Sequence, residues 1–281
     1  MLRKRLTITL RKDLIEILDA EIDGVRIRNR SHAIESMLAY KLNLPVSKAV
    51  ILAADQGIKF RPFTYEMPKA MLPVGGRPLL EHIIIGLRES DIRDIYISVG
   101  HLADKIKSYF GNGSKFGVRI TYSVQNRSDL GTGGALRTMK PNLGPQEAFF
   151  LIYGDVLADI NYQDMVRFYY GHRDVLGVVA LTTVRNPEFW GVVKLEGEYI
   201  KDFIEKPEPH ATQSHLISAG IYLLKGKIFS HLPRDKSVSL EKDILPKLIK
   251  KYKLLGYLLK GSWYDISTPE VYDQVLKARL A

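Results

Sequence analysis

The spacing of apolar and polar positions changes along the chain and separates a short N-terminal segment from the rest. Residues 6–10 alternate between apolar and polar side chains, which predicts one strand with a single apolar face. Apolar residues then recur at helical spacing over residues 14–22 and again over residues 33–38. Asp23-Gly24 predicts the end of the first helix, and Ser31 is a candidate cap for the second. The segment therefore has the order strand, helix, turn, helix.

After a connector at residues 42–47, apolar runs rich in β-branched residues alternate with helical patterns. The predicted strands are AVILAA, DIYISVG, VRITYSV, AFFLIYG, LGVVALTTV, GVVKLE and AGIYLL. The predicted helices include PLLEHIIIGLRES, LADKIKSYF and YQDMVRFYYGHR. Continuous apolar strands separated by helices indicate an α/β domain with a Rossmann-like, mainly parallel sheet covered on both faces and some later antiparallel strands. We therefore predict two domains, residues 1–46 and 47–281.

Composition and charge narrow the class of protein without fixing its chemistry. The 281 residues include no cysteine, so disulfides and thiolate metal sites are excluded and an intracellular protein is expected. Neither a membrane-length apolar run nor a signal-peptide core is seen, which favours the cytoplasm and no membrane partner. The formal net charge of +10 favours a polyanionic partner, and a triphosphate, a sugar phosphate or a nucleic acid would qualify.

The N-terminal segment is too small to bury its apolar face alone, and its single strand needs a pairing partner. Pairing with the same strand of a second chain is the expected solution, so we expect a homodimer or a higher even-numbered homo-oligomer. Residues 2–45 resemble the ribbon-helix-helix DNA-binding family. The resemblance implies that Arg5, Thr7 and Thr9 contact bases of double-stranded DNA and that Ser31 lies near a phosphate. The alternative is a dimerisation segment with an ordinary basic surface.

The most informative stretch is LAADQGIKFRPFTYEMPKAMLPVGGRP, residues 52–78. A strand that leads into a loop with Gly57, Lys59 and Lys69 offers backbone N–H groups and cations to a triphosphate. The run resembles the signature of sugar-1-phosphate nucleotidyltransferases, roughly LAAGxGxRLxPLTxxxPKxLLPVxxxP. The resemblance implies catalytic roles for Lys59 and Lys69 beside the reacting phosphates. It also assigns nucleotide binding to Ala53, Ala54 and Gly57.

This loop departs from the signature at two positions. Asp55 stands in place of the first glycine, and Lys59 stands in place of the arginine. A carboxylate near a triphosphate adds repulsion, and lysine keeps the charge of arginine but loses its two-pronged geometry. Both changes predict weakened catalysis, altered catalysis or loss of turnover.

Two later strings resemble the base-binding and metal-binding motifs of the same family. DLGTGGALR resembles LGTAGAL, which implies that Gly131 and Thr132, with Gln125 shortly before them, lie against the nucleotide base. Asp155 follows an apolar strand, and Asp265 lies in WYDISTPEVY, in the manner of the two metal-binding aspartates of the family. Paired carboxylates are suited to Mg²⁺, which would neutralise phosphate charge.

The strings FWGVVKLEG and Glu205-Lys206-Pro207 resemble the sugar-binding motifs of the family. The resemblance implies that the Gly191 backbone lies close to the sugar, that Glu205 accepts from sugar hydroxyls and that Lys206 binds the sugar phosphate. Ser218 stands where asparagine is more usual.

Two hypotheses follow. The first is a Mg²⁺-dependent enzyme that converts an NTP and a sugar 1-phosphate to an NDP-sugar and pyrophosphate and that also carries a DNA-binding arm. MLPVGGRPLLEHII and YFGNGSKFGVRITY favour mannose 1-phosphate and GTP, with glucose-1-phosphate uridylyl or thymidylyl transfer as alternatives. The second is a DNA-binding regulator whose degenerate nucleotidyltransferase domain senses a nucleotide or NDP-sugar.

Overall fold

The computed structural model describes residues 7–22, 27, 29–41, 46–125, 130–209, 211–234 and 236–280. The chain divides into two compact units. The smaller comprises Met1–Leu44 with Tyr170–Arg173, and the larger comprises Pro45–Tyr169 with Asp174–Ala281. No helix in the described ranges combines the length and apolar character needed to cross a bilayer.

The smaller unit contains the two helices that the sequence predicts, α1 (Lys12–Ala20) and α2 (Arg30–Lys41). They are joined by an exposed, two-pronged ion pair, in which Nε and Nη2 of Arg30 each lie 2.6 Å from a carboxylate oxygen of Asp19. Residues 7–11 precede α1 without regular secondary structure. A strand at this position would need a partner to complete its hydrogen bonds, and the described part of this chain supplies none.

The cap of α2 is Asn29, which corrects the expectation of a cap at Ser31. The backbone N–H of His32 donates to Oδ1 of Asn29 at 2.9 Å, and that of Ala33 donates to the Asn29 carbonyl at 3.0 Å. This is the pattern in which a cap side chain satisfies the third amide of the helix. Ser31 lies inside the first turn because the asparagine reaches that amide first.

The larger unit is built on a mixed, nine-stranded sheet with two small accessory sheets. The strands in chain order are β1 (Lys48–Ala53), β2 (Pro73–Val74), β3 (Arg77–Pro78), β4 (Asp94–Val99), β5 (Arg119–Val124), β6 (Ala148–Tyr153), β7 (Val156–Ala158), β8 (Val175–Thr183), β9 (Gly191–Glu196), β10 (Tyr199–Glu205), β11 (Leu216–Lys225), β12 (Lys253–Leu258) and β13 (Trp263–Asp265). The order in the main sheet is β5-β4-β1-β6-β11-β8-β12-β10-β9.

The prediction of a mixed sheet with some later antiparallel strands is confirmed, but the sheet is not mainly parallel, because antiparallel neighbours are as frequent as parallel ones. Strands β5, β4, β1 and β6 are parallel neighbours, but β11 is antiparallel to both β6 and β8, and β10 is antiparallel to β9 and β12. The physical reason is the connection between strands. The short turn at Gly197 and Glu198 joins β9 to β10 as a hairpin, whereas parallel neighbours need a crossover. Strand β10 and strand β12 were missing from the sequence prediction.

Helices cover both faces of this sheet, as the sequence predicts. They are α3 (Leu79–Glu89), α4 (Ala103–Phe110), α5 (Gly131–Arg137), α6 (Tyr162–Tyr170), α7 (Leu245–Lys251) and α8 (Pro269–Leu280). On one face, Leu136 of α5 and Leu248 of α7 belong to the same buried cluster as Leu151 of β6. On the other face, Phe150 of β6 packs edge-on against Tyr162 of α6, with ring centroids 5.1 Å apart. Consecutive residues of one strand therefore support both layers.

The parallel half of the sheet brings its carboxyl ends to one edge, where the candidate residues gather. Strand β6 is followed by Gly154, whose N–H donates to the Leu52 carbonyl at 2.8 Å. A Cβ at Gly154 would lie 2.9 Å from that same oxygen, so only glycine permits this approach. Asp155 is thereby placed beside the loop that follows β1.

Candidate functional site

The loop after β1 is held in a compact shape by its own residues. Gly57 has a φ of 61°, and a Cβ there would lie 2.7 Å from Cγ2 of Thr64. The Thr64 hydroxyl donates to the Gly57 carbonyl at 2.7 Å, and the His101 ring donates to the Thr64 carbonyl at 2.8 Å. A residue with a side chain would be strained and crowded at position 57, so the compact shape of this loop requires glycine there.

Lys69 is the centre of the site. Its Nζ lies 2.7 Å from Oδ2 of Asp155 and 3.1 Å from Oδ2 of Asp55, and the residue is only 4% exposed. Burial lowers the pKa of the Lys69 ammonium, but the charges and hydrogen bonds of Asp155 and Asp55 outweigh burial and raise it above its ordinary value. Lys69 is therefore a fixed cation at neutral pH.

Asp265 reaches the same place through the small sheet of β7 and β13, where it pairs with Val156. The N–H of Ile266 donates to the Asp155 carbonyl at 2.9 Å, which locks the two aspartate-bearing segments together. Burial and the nearby Asp155 charge raise the pKa of the Asp265 carboxyl to about 6, against smaller lowering effects of Trp190, Lys69 and Ser267. The two carboxylates are thus close enough to repel each other.

The donor set of Asp155 and Asp265 fits Mg²⁺. Both supply hard carboxylate oxygens, and a divalent cation between them would relieve the repulsion that raises the Asp265 pKa. Within the described ranges, no group of three or more His, Cys, Asp or Glu side chains is placed to hold a metal. Magnesium commonly binds through one or two carboxylates and takes its other ligands from phosphates and water.

The predicted sugar-binding residues share the hairpin of β9 and β10. Gly191 pairs with Glu205 across the hairpin, and a Cβ at Gly191 would lie 2.3 Å from Cζ of Phe203. Burial raises the pKa of the Glu205 carboxyl, while the positive charges of Lys206 and Lys242 lower it. A partly desolvated carboxylate at the end of a strand is well suited to accept hydrogen bonds from hydroxyl groups.

Two of the predicted base-binding side chains, those of Gln125 and Thr132, already make hydrogen bonds within the chain. The Gln125 side-chain amide donates to Oγ of Ser98 at 2.5 Å. The Thr132 hydroxyl donates to Oε2 of Glu241 at 2.7 Å and accepts from the Leu240 N–H at 2.9 Å. The Thr132 hydroxyl proton is therefore already donated to Glu241, and the neighbouring Gly131 has a φ of 69°.

Glu241 is a residue that sequence reasoning missed. Glu241 is 8% exposed. Its Oε2 accepts hydrogen bonds from the Thr132 hydroxyl at 2.7 Å and from the Ser239 hydroxyl at 2.8 Å. Burial raises the pKa of its carboxyl above the ordinary value. The signal was present in SLEKDILPKL, because Glu241 shares helical spacing with Ile244, Leu245 and Leu248, and an acid on an apolar face needs a buried partner.

Several predicted residues lie outside the central cluster. Lys59 is exposed. Its charge adds to the hydrogen bonds from Thr268 and the backbone that lower the pKa of Glu270. Ala53 is buried at the end of β1, and Ala54 is partly buried. Of the predicted DNA-contacting residues, Arg5 lies outside the described residues, while Thr7 and Thr9 are exposed in the smaller unit.

Comparisons with known proteins identify relatives of most of this chain. The family model for nucleotidyl transferase matches residues 48–280. The bifunctional protein GlmU of Methanococcus maripaludis is 35% identical over 226 residues, covering 79% of this chain and 51% of the relative. The mannose-1-phosphate guanyltransferase beta-B of Xenopus laevis is 30% identical over 227 residues, covering 79% and 62%. This chain therefore spans about half to three fifths of the length of these curated relatives.

A solved structure gives the same picture of the fold. A chain described as a glucose-1-phosphate thymidylyltransferase from Bacillus anthracis, in complex with sucrose, aligns with a TM-score of 0.75 at 29% identity. The alignment covers 83% of this chain and 94% of that chain. The family match includes residues 54–72, named the phosphate loop after their predicted role. It also includes Asp155, Asp265 and the hairpin of β9 and β10. Because the match covers most of the chain, the chain belongs to the nucleotidyl transferase family.

Proposed function

We propose that this protein transfers a nucleoside monophosphate from an NTP to a sugar 1-phosphate and releases pyrophosphate. The observation that carries the proposal is the placement of Lys69, buried at the carboxyl edge of the parallel strands between Asp155 and Asp55. A fixed cation at such an edge, following a glycine turn, is suited to the negative charge that develops as pyrophosphate leaves. The names of the relatives and of the aligned structure support the same reaction class.

The sugar-phosphate oxygen is already anionic near neutral pH, so the attack on the α-phosphate needs positioning more than a general base. In this proposal Lys69 and Lys59 stabilise the triphosphate and the leaving pyrophosphate. Glu205 accepts from sugar hydroxyls, and Lys206 binds the sugar phosphate. In this proposal the hairpin of β9 and β10 binds the sugar phosphate, and the loop after β1 binds the triphosphate.

Asp155 and Asp265 would hold Mg²⁺, which when bound neutralises phosphate charge during the transfer. Orientation is the contribution of the chain itself. The Ile266 N–H fixes the backbone at Asp155, and the pairing of β7 with β13 fixes Asp265 beside it.

We propose GTP and mannose 1-phosphate as the preferred substrates. Two sequence strings, MLPVGGRPLLEHII and YFGNGSKFGVRITY, and the name of the guanyltransferase relative support this choice. The aligned structure carries a thymidylyltransferase description, so the test must include several bases. The experiment is a pyrophosphate-release screen of GTP, UTP, dTTP and ATP against mannose, glucose and N-acetylglucosamine 1-phosphates with Mg²⁺. Release of pyrophosphate that depends on both substrates supports the proposal. Absence of release for every pair contradicts it.

Binding of the metal is expected to depend on pH through Asp265. With the pKa of this carboxyl raised to about 6, a proton competes with the metal below that pH. Mn²⁺, used as a probe for Mg²⁺, is expected to bind about tenfold more weakly at pH 5 than at pH 7. Electron paramagnetic resonance of free Mn²⁺ measures this. An affinity that is constant between pH 5 and pH 7 contradicts the assignment of Asp265.

We also propose that residues 1–46 form a separate domain that pairs with a second copy and binds double-stranded DNA. Ile8, Leu14 and Ile17 are exposed apolar side chains of the smaller unit, which is the surface that pairing would cover. The test is a DNA selection at moderate salt with the full chain. Arg5→Ala is expected to lose sequence preference while the oligomer size in sedimentation stays unchanged. Selection of no DNA by the unmodified protein contradicts the DNA-binding role.

The second candidate function is a DNA-binding regulator that senses a nucleotide or an NDP-sugar. The ion pair between Lys69 and Asp55 favours this second candidate. The Lys69 ammonium, which would bind the triphosphate, is already paired with a carboxylate at a position where the family signature has glycine. Such a protein would bind nucleotide without turnover. Restoring glycine at position 55 and arginine at position 59 separates the two candidates, because it is expected to restore turnover to a sensor that has none.

A further inference from the structure

Trp190 lies where the candidate metal site and the candidate sugar-phosphate site meet. Its indole Nε1–H donates to Oδ2 of Asp265 at 2.7 Å. Its backbone carbonyl accepts from the Lys206 N–H at 3.0 Å. The next residue, Gly191, pairs with Glu205 across the hairpin. Trp190 therefore contacts the Asp265 carboxylate through its side chain and the turn at Lys206 through its backbone.

The position of the indole ring is itself fixed. The backbone N–H of Trp190 donates to the Pro187 carbonyl at 3.1 Å and closes the turn before β9. The ring packs edge-on against Phe189 and Trp263, with centroid distances of 5.9 Å and 5.8 Å. The Trp263 indole donates to the Ala219 carbonyl at 2.9 Å and is anchored in turn. The donor that faces Asp265 is thus held by packing, as a support for a metal ligand must be.

The hydrogen bond restricts the orientation of the Asp265 carboxylate. The indole N–H uses one lone pair of Oδ2 and leaves the remaining lone pairs of both oxygens for a metal, while it opposes rotation of the carboxylate. Hydrogen-bond partners of this kind orient the carboxylates that bind metals, and their loss commonly weakens metal affinity. A neutral indole orients the carboxylate and leaves its negative charge in place.

The backbone contact of Trp190 has a separate effect. Lys206 precedes Pro207 and has a φ of 48°, a left-handed conformation that is costly for a residue with a side chain. The hydrogen bond from its N–H to the Trp190 carbonyl helps to hold this turn at the end of β10. The direction in which the chain presents Lys206 therefore depends on the same residue that orients Asp265.

We propose that Trp190 is a positioning residue that orients Asp265 for metal binding and anchors the Lys206 turn beside it. The inference rests on the proposed function, because it requires Asp265 to bind the metal. It adds a residue whose role depends on its indole N–H, and that role can be separated from simple packing.

The test compares Trp190→Phe with Trp263→Phe in the full chain. Both changes replace an indole by a smaller ring, but only the first removes a donor from Asp265. We expect Mn²⁺ affinity, measured by electron paramagnetic resonance, to fall about tenfold or more in Trp190→Phe. Trp263→Phe keeps the indole donor to Asp265 and is expected to lower the affinity much less, because it changes only a ring that packs against Trp190 and removes the donor to the Ala219 carbonyl. Circular dichroism and thermal unfolding establish that each variant is folded.

A fluorescence measurement keeps the proposal testable if Trp190→Phe does not fold. The chain contains two tryptophans, so Trp263→Phe leaves Trp190 as the single indole. Mn²⁺ is expected to quench this fluorescence with the same affinity that resonance gives, because the indole contacts the ligating carboxylate. Absence of quenching in a variant that binds Mn²⁺ overturns the proposal. Equal Mn²⁺ affinity of folded Trp190→Phe and the unmodified protein also overturns it.

Failure of the proposed metal site is distinguishable from failure of this inference. If the unmodified protein binds no Mn²⁺ at neutral pH, the assignment of Asp155 and Asp265 fails, and the role of Trp190 fails with it. If the unmodified protein binds Mn²⁺ and Trp190→Phe binds equally well, the metal site stands and only the role of Trp190 is lost.

Discussion

Replacing Lys69 by methionine is expected to lower kcat for nucleotidyl transfer by about a hundredfold to a thousandfold. Lys69 is buried and paired with Asp155 and Asp55, so its ammonium is a preformed positive charge beside the phosphates. Methionine has a similar length but carries no charge, and it leaves both carboxylates facing the triphosphate. Steady-state release of pyrophosphate with saturating substrates measures the change.

The matched control is Lys115→Met, which makes the same exchange at an exposed lysine in the turn before β5. It is expected to keep the unmodified rate. Thermal unfolding of Lys69→Met is needed as well, because removal of a buried cation leaves its partner carboxylates without compensation. If a folded Lys69→Met protein turns over as fast as the control, Lys69 has no part in the reaction.

The double variant Asp55→Gly with Lys59→Arg is expected to lower KM for the NTP by about tenfold, equivalent to roughly 1.4 kcal/mol. Asp55 shares the Lys69 ammonium at 3.1 Å, and its removal frees that cation for phosphate oxygens. Arginine at position 59 adds the fork geometry that lysine lacks. The side chain of Asp55 is 59% exposed, so water screens much of its repulsion and a larger effect is not expected.

Asp55→Asn is the control that separates the loss of negative charge at position 55 from the backbone freedom that glycine adds there. It removes the negative charge but keeps a side chain of the same shape, so it should show the charge part of the effect alone. An unchanged KM in both variants contradicts the view that Asp55 opposes the nucleotide. Turnover in the double variant combined with none in the unmodified protein favours the sensor over the enzyme.

The loop after β1, Asp155 and Asp265 were selected from short strings that resemble motifs of the family, and the structure brings these strings together. The phosphate loop and Asp155 both follow strands of the parallel half, whose carboxyl ends meet at one edge. Local sequence therefore carried long-range information here. Asp265 was selected only through the resemblance of WYDISTPEVY to a family motif, because it reaches the site through the accessory sheet of β7 and β13.

The contacts that sequence reasoning missed are those between strings that are distant in the chain. Thr132 was assigned to the base, but its hydroxyl is held by Glu241, 109 residues away. The bond between Trp190 and Asp265 spans 75 residues. Neither partner's identity reveals the other, because both depend on how the hairpin and the later helices close over the sheet.

The sheet was overestimated as parallel for a related reason. Strand β10, with the sequence YIKDFIE, carries polar residues at exposed positions and lacks the continuous apolar run used to find the other strands. Once β10 is missed, the hairpin that reverses the chain direction is missed with it. At the other end of the chain, Asn29 and Ser31 are both good caps, and only the completed helix shows which of them meets the free amide.

The group formed by Lys69, Asp55, Asp155 and Asp265 sets one cation against three carboxylates once Asp265 has lost its proton. A site with this excess of negative charge repels a bare triphosphate and attracts a divalent cation. The nucleotide is therefore expected to bind as its Mg²⁺ complex, because the metal offsets the repulsion between the carboxylates and the triphosphate. Free NTP in excess over magnesium would then be a poor competitor, and the rate should follow the concentration of the metal complex, with total nucleotide having little influence.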